Sequence, residues 1–206
     1  MTSALPPPRF GDVMGTLKRA DNDWYCDSPD AIEALLDAER FSGDNWDPCC
    51  GRGTIPEALE GRGMFCVATD LVYRGYGTGE VDFFDDAQVS SSFSNIICNP
   101  PYKHAQAWAE RALSIAKHKV ALLLPLTFLE GQARSQWLES SPLARVHVFP
   151  WRISMSPGEL LTAGKVEPTG GKKAYAWFVW EHGWQGPAQV RFLKRPAAAQ
   201  AQQEAA

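Results

Sequence analysis

Short apolar runs alternate with amphipathic stretches along most of this 206-residue chain. Ala31, Ile32, Leu35 and Leu36 repeat at helical spacing through Arg40. The stretch begins at Asp27-Ser28-Pro29-Asp30, where Ser28 can cap a helix and Pro29 suits its first position. The stretch from Asn45 to Leu59 predicts a very short strand, a Gly51-Arg52-Gly53 turn and a helix, which Gly61 and Gly63 close. Met64–Thr69 predicts a second strand ending at Asp70, and a glycine-rich loop covers 73–79. Ser94–Cys98 is a third strand, and Ala105, Trp108, Ala109, Ala112, Leu113 and Ile115 mark another helix. The unbroken run Val120–Pro125 reads as a buried strand, 128–141 as a helix, and Arg145–Phe149 and Ala174–Trp180 as further strands. Such alternation predicts an α/β fold with a mostly parallel sheet and helices on its faces. Residues 1–23, with Pro6-Pro7-Pro8, read as a flexible lead, 24–194 as a single domain, and the Ala/Gln-rich 195–206 as a disordered tail.

Composition changes this picture little. With 45% hydrophobic and 21% charged residues the chain can bury a sizeable core, and a net charge of −4 argues against a basic coat over the whole surface. The five cysteines, Cys26, Cys49, Cys50, Cys66 and Cys98, form no CxxC pair, so the spacing predicts reduced thiols and no metal site. No apolar run approaches a membrane span and the first residues lack the plan of a signal peptide, which leads us to expect a soluble, cytoplasmic protein with no membrane partner.

The chemistry concentrates where strands end. Ser94–Cys98 runs into Asn99-Pro100-Pro101-Tyr102, and two prolines stop a strand because they lack the N–H that a ladder needs. Asn99 and Tyr102 are thereby expected at the carboxyl edge of the sheet, where open α/β folds bind ligands. The Gly51-Arg52-Gly53 turn lets a ligand approach the backbone, and Asp47 at its head favours a cationic group over a phosphate. Asp70, at the end of the next strand, is placed to accept from ribose hydroxyls, and Asp82-Phe83 to offer an acceptor and a flat face to an adenine. The plainer alternative is that these are turn residues only.

Asp47-Pro48-Cys49-Cys50-Gly51-Arg52-Gly53 followed by Asn99-Pro100-Pro101-Tyr102 resembles the S-adenosylmethionine-dependent amino-methyltransferases, especially the DNA adenine-N6 methyltransferases. Trp24-Tyr25-Cys26-Asp27-Ser28-Pro29 is similar to the family's N-terminal motif, so the resemblance covers roughly 24–130. It implies a Rossmann-like methyltransferase fold with a seven-stranded sheet, and S-adenosyl-L-methionine as cofactor. It also implies cofactor contacts at Tyr25, Ser28, Asp47, Pro48, Cys49, Gly51, Gly53, Asp70, Leu71, Asp82 and Phe83, and catalytic roles for Asn99, Pro100, Pro101 and Tyr102. Asn99 Oδ1 and the Pro100 carbonyl would accept the hydrogens of an exocyclic amine, and Tyr102 would stack on its ring. No cysteine nucleophile is needed, so Cys98 reads as a small buried strand residue and Cys49-Cys50 as the lining of the turn.

DNA is the expected partner, with RNA or a protein glutamine as alternative acceptors and a non-catalytic, cofactor-binding subunit as the alternative of another class. We expect no counterpart of the family's target-recognition domain, and 151–173, with the tyrosine- and glycine-bearing loop 73–79, offers the room for a small substrate loop. From Arg145 to Lys194 seven Lys/Arg face three Asp/Glu, making Arg152, Lys172 and Lys173 candidate phosphate contacts, although an ordinary solvated surface has the same composition. Trp177 and Trp180, read as sharing a strand face, point to core packing rather than base stacking. His104 reads as a surface residue at a helix start.

Overall fold

No residue of the run Val120–Leu124 is exposed, because both faces of the strand that carries it are covered. The computed structural model describes residues 25–26, 28–89, 92–153, 155–157 and 173–197. The 1–23 lead, Trp24, Lys172 and residues 198–206 of the tail lie outside them. In chain order the first elements are β1 (Tyr25–Cys26), α1 (Pro29–Ala38), β2 (Asn45–Asp47), α2 (Thr54–Gly61) and β3 (Cys66–Ala68). Next come β4 (Asn95–Cys98), α3 (Ala105–Ile115), β5 (Lys119–Pro125), α4 (Gln132–Ser140) and β6 (Leu143–Val148). The chain closes with β7 (Ser156–Pro157), β8 (Tyr175–Glu181) and β9 (Gln189–Phe192).

Seven strands form one sheet in the order β3-β2-β4-β5-β8-β6-β9. The expected parallel pairing holds from β3 to β5 and between β6 and β9. The sheet is nonetheless mixed, since β8 runs antiparallel to both β5 and β6. The chain leaves β6 and enters β8 from the same end of the sheet, without the crossover a parallel pair needs, so β8 runs opposite to β6. A separate ribbon pairs β1 with β7, Tyr25 opposite Pro157.

Strand alternation sends Ile97, Ala121, Leu123 and Trp177 to one face, under α1 and α2. Ile96, Cys98, Val120, Leu122 and Phe178 face α3 and α4 on the other. Trp177 and Trp180 are both buried in the core, but three positions apart they point to opposite faces, not to one. Ser28 stands at the N-cap of α1 without a side-chain capping bond; its carbonyl accepts from the Ala31 N–H instead. The helix expected over 128–141 is divided, a 3₁₀ turn at Leu126–Leu129 preceding α4, because Gly131 turns the chain at φ +107°.

At the sheet end where β5 begins, Glu39 is buried with three hydrogen-bonding partners, Lys119, Arg145 and His147. Lys119 Nζ lies 2.9 Å from its Oε2, His147 Nε2 2.8 Å from its Oε1, and Arg145 spans both Glu39 and Glu181. Burial alone would raise this carboxyl, but the hydrogen bonds from His147, Arg145 and Lys119 outweigh it and hold the pKa at about 2.

Candidate active site

Strands β3, β2 and β4 are parallel neighbours, so their carboxyl ends open side by side at one edge of the sheet. The turn after β2 requires left-handed backbone at Gly51 (φ +54°) and Gly53 (φ +91°), which glycine adopts without strain. Asp47 is buried and its Oδ1 accepts from the Cys49 N–H at 3.2 Å. Asp70 ties the turn to the following loop: Oδ2 accepts from the Gly51 N–H at 2.9 Å and Oδ1 from the Val72 N–H at 3.0 Å. Each carboxylate oxygen keeps acceptor capacity for a further donor. Leu71, next to it, is exposed.

The glycine-rich loop folds back on β3 through Thr78, which exchanges backbone bonds with Ala68 and Asp70. This brings the Tyr76 ring over Gly53, so close that a Cβ on Gly53 would lie 2.5 Å from a ring carbon. The sequence marks the loop 73–79 as a place for substrate contacts but not the position of Tyr76 over the turn, whose signal is an aromatic residue between two glycines, Gly75 and Gly77, both at positive φ.

The Asn-Pro-Pro-Tyr segment leaves β4 directly opposite the turn. Pro100 is buried, while Asn99, Pro101 and Tyr102 are half-buried. Tyr102 donates its hydroxyl to Asn99 Oδ1 at 2.8 Å, and its ring centroid is 5.7 Å from that of Tyr175. Cys49 Sγ lies 3.4 Å from the Asn99 carbonyl oxygen, so the turn and the segment meet.

The expectation of reduced thiols fails for Cys49 and Cys98, which are joined as a disulfide with Cα atoms 6.4 Å apart. Their separation of 49 residues conceals that parallel β2 and β4 exit side by side. Asp47, Cys49 and Cys98 hold their ligating atoms within 4.8 Å, yet bonded sulfurs are not the thiolates a metal takes. Burial, with Asp47 and Asp70 adding to it, pushes the Cys50 thiol up to about 12, and burial raises Cys66 further. Neither is a nucleophile near neutral pH.

Phe83 does not present the open face expected of it. Only 2% exposed, it stacks on Trp108 at 4.1 Å between centroids and packs against Trp46 at 5.5 Å. Asp82 is exposed and accepts from the Phe84 N–H at 2.9 Å, and Phe84 stands half out of the core beside it. Arg152, just past β6, and Lys173, just before β8, are exposed on the same edge of the sheet as Asn99. Of Tyr25 the ribbon pairing alone is described, and Lys172 lies outside the described residues.

No family model matches the chain, and no curated protein matches it in sequence. Solved structures match in fold. A Listeria monocytogenes protein described as a class I S-adenosylmethionine-dependent methyltransferase aligns at a TM-score of 0.57 and 12% identity, over 93% of this chain and 73% of its own. A Pyrococcus horikoshii protein described as an RNA methyltransferase aligns at 0.55 and 14%, over 84% and 98%. One from Vibrio vulnificus YJ016, described as a modification subunit of a type I restriction enzyme, aligns at 0.55 and 10% over 84% of this chain. The chain spans about half, 48%, of that subunit's length. The fold is therefore the Rossmann-like methyltransferase fold.

Proposed function

We propose that this chain is an S-adenosylmethionine-dependent methyltransferase acting on a planar nitrogen, adenine N6 in DNA before all others. The observation that carries the reading is the contact between the glycine turn and the Asn-Pro-Pro-Tyr segment, with Cys49 Sγ 3.4 Å from the Asn99 carbonyl oxygen. It sets a cofactor-type turn against an amine-acceptor motif at one sheet edge, in a fold shared with described methyltransferases.

The donor set fits the cofactor. Asp47 supplies a buried carboxylate for an amino group, and Asp70 retains acceptor capacity for ribose hydroxyls. Gly51 and Gly53, at positive φ, open the backbone, and Pro48, Cys49, Leu71 and Asp82 are the further cofactor contacts in this reading. Tyr25 and Ser28 stand for the N-terminal motif, and Phe83 backs the site from the core. When bound, S-adenosylmethionine supplies an electrophilic methyl on a sulfonium.

An exocyclic amine is a weak nucleophile because its lone pair is delocalised into the ring. Asn99 Oδ1 and the Pro100 carbonyl accept its two hydrogens and stabilise the positive charge that develops on nitrogen. Pro101 fixes the bend, and Tyr102 holds the ring in line. Asp47 and Asp70 would hold S-adenosylmethionine to supply the methyl, and the amine, released from Asn99 and the Pro100 carbonyl, would give its surplus proton to solvent. Arg152, Lys172 and Lys173 belong to the substrate surface in this reading.

Purified protein should transfer labelled methyl to unmethylated DNA. Asn99→Ala should lower transfer by about 10²–10³-fold with cofactor affinity retained in calorimetry. Labelling of RNA or protein but never DNA would make the DNA acceptor wrong; absence of cofactor binding would end the whole scheme.

A further inference from the structure

A groove of about 560 Å³ starts at Tyr102 and runs between the amino end of α3 and the segment that follows β5. Lys103 and Arg134 of α4 supply its charge, beside His104, Gln106 and Thr127, and no lining residue is acidic. Arg134 is half-buried with its guanidinium centre 4.9 Å from the Phe128 ring centroid. Its Nη1 donates to the carbonyls of Phe128 at 3.1 Å and Thr127 at 3.4 Å, while its buried Nε meets no acceptor. Arg62, Arg111 and Arg145 each reach a carboxylate; among the described residues Arg134 reaches none. In a chain with 24 acidic against 20 basic residues, a guanidinium fixed in place without a carboxylate is built to meet an anion from outside.

We propose that this groove takes the phosphodiester backbone of an opened nucleic-acid strand beside the target base, Arg134 and Lys103 contacting phosphates. The inference rests on the reading of Tyr102 as the base platform. A base reaches a pocket at a sheet edge only after leaving its stack, and the protein must then hold the strand that flanks it. The groove opens from Tyr102 itself, so a strand that delivers a base there continues into it. Arg134 is pre-aimed by the Thr127 and Phe128 carbonyls, and Lys103, on its flexible stem, is an exposed charge lining the same groove. That combination of one fixed and one adaptable cation suits a backbone contact that is blind to sequence.

The test is binding of a fluorescent, adenine-containing single-stranded DNA oligonucleotide to the full chain across a salt series, with cofactor affinity measured in parallel. Lys103→Gln with Arg134→Gln should weaken binding by about 30-fold or more and flatten the salt slope by about 0.7 per lost phosphate contact. Cofactor affinity should stay unchanged. Because Arg134 also ties down the 127–128 backbone, Lys103→Glu alone, at an exposed position, carries the test if the double variant fails to fold; about 10-fold weaker binding is expected. Unchanged affinity and slope in Lys103→Glu would overturn the groove. So would wild-type binding that is equally tight for an uncharged-backbone oligonucleotide, or for an acidic peptide of the same length. Methyl transfer by the wild-type chain is read separately, so a silent groove with active transfer defeats this inference and leaves the proposed function standing.

Discussion

Tyr102 is held twice in the free protein, by its hydroxyl on Asn99 Oδ1 and by its ring against Tyr175. The acceptor meant for the substrate amine is thus satisfied in advance by a neighbour three residues away, and an incoming N–H replaces one hydrogen bond with another. Tyr102→Phe removes this occupant and keeps the ring, so transfer should stay within about threefold of wild type. Tyr102→Ala removes the platform and should lower kcat/KM by about 10- to 100-fold, the weight of one base–aromatic stack; steady-state transfer of labelled methyl reads both. Asn99 and Tyr102 were legible as letters, because two prolines after an apolar run force a strand to end. Their mutual bond was not, since it depends on how the bend is packed. That the face of Phe83 is covered was not legible for a related reason. A motif says where an aromatic lies along the chain, whereas Trp108 decides whether its face is free.

At the scale of elements, the strand–turn–helix from β2 to α2 is the most constrained piece of the site. Gly53 sits at φ +91° with Tyr76 across it, so Gly53→Ala meets both a strained backbone and an aromatic ring. It should cost about 1–3 kcal/mol, visible as a lower urea midpoint, together with weaker cofactor binding. Adding Tyr76→Ala should recover part of the stability and no more, because the φ angle stays unfavourable. The turn was legible from its glycines, and the strands and helices around it from their periodicity. The strand β9 was not, because all four of its residues are exposed and the run carries no buried face to announce it. Two-residue β1 and β7 are too short to leave any period. The parallel sheet was read correctly up to β5; the direction of β8 depends on where the preceding segment returns, which hydrophobicity does not record.

For the whole molecule, Glu39 joins the end of α1 to β5 and β6, with Arg145 carrying the link on to β8. Its partners lie 80 to 108 residues away in the chain, which is why no local pattern revealed it. The carboxyl titrates at 4.5 when unpaired and at about 2 in the fold. The fold therefore gains from the ionised form above pH 4.5, and loses that gain as pH falls toward 2. About 3 kcal/mol is at stake, measurable as urea midpoints at pH 7, 4 and 3. Glu39→Gln should lose about that much at pH 7, because it leaves buried Arg145 with Glu181 as its one carboxylate partner among the described residues, and should show a flatter acid limb. The placement of β8 between β5 and β6 bears on how the molecule is made. A ribosome releases β5 and β6 first, yet they are not neighbours, and the strand that belongs between them is still to come. Until 175–181 emerge, the nascent chain exposes the unpaired edge of β5, flanked by its most apolar surface. The last third of the chain therefore closes the sheet, and the interval before it arrives is when a chaperone has something to cover.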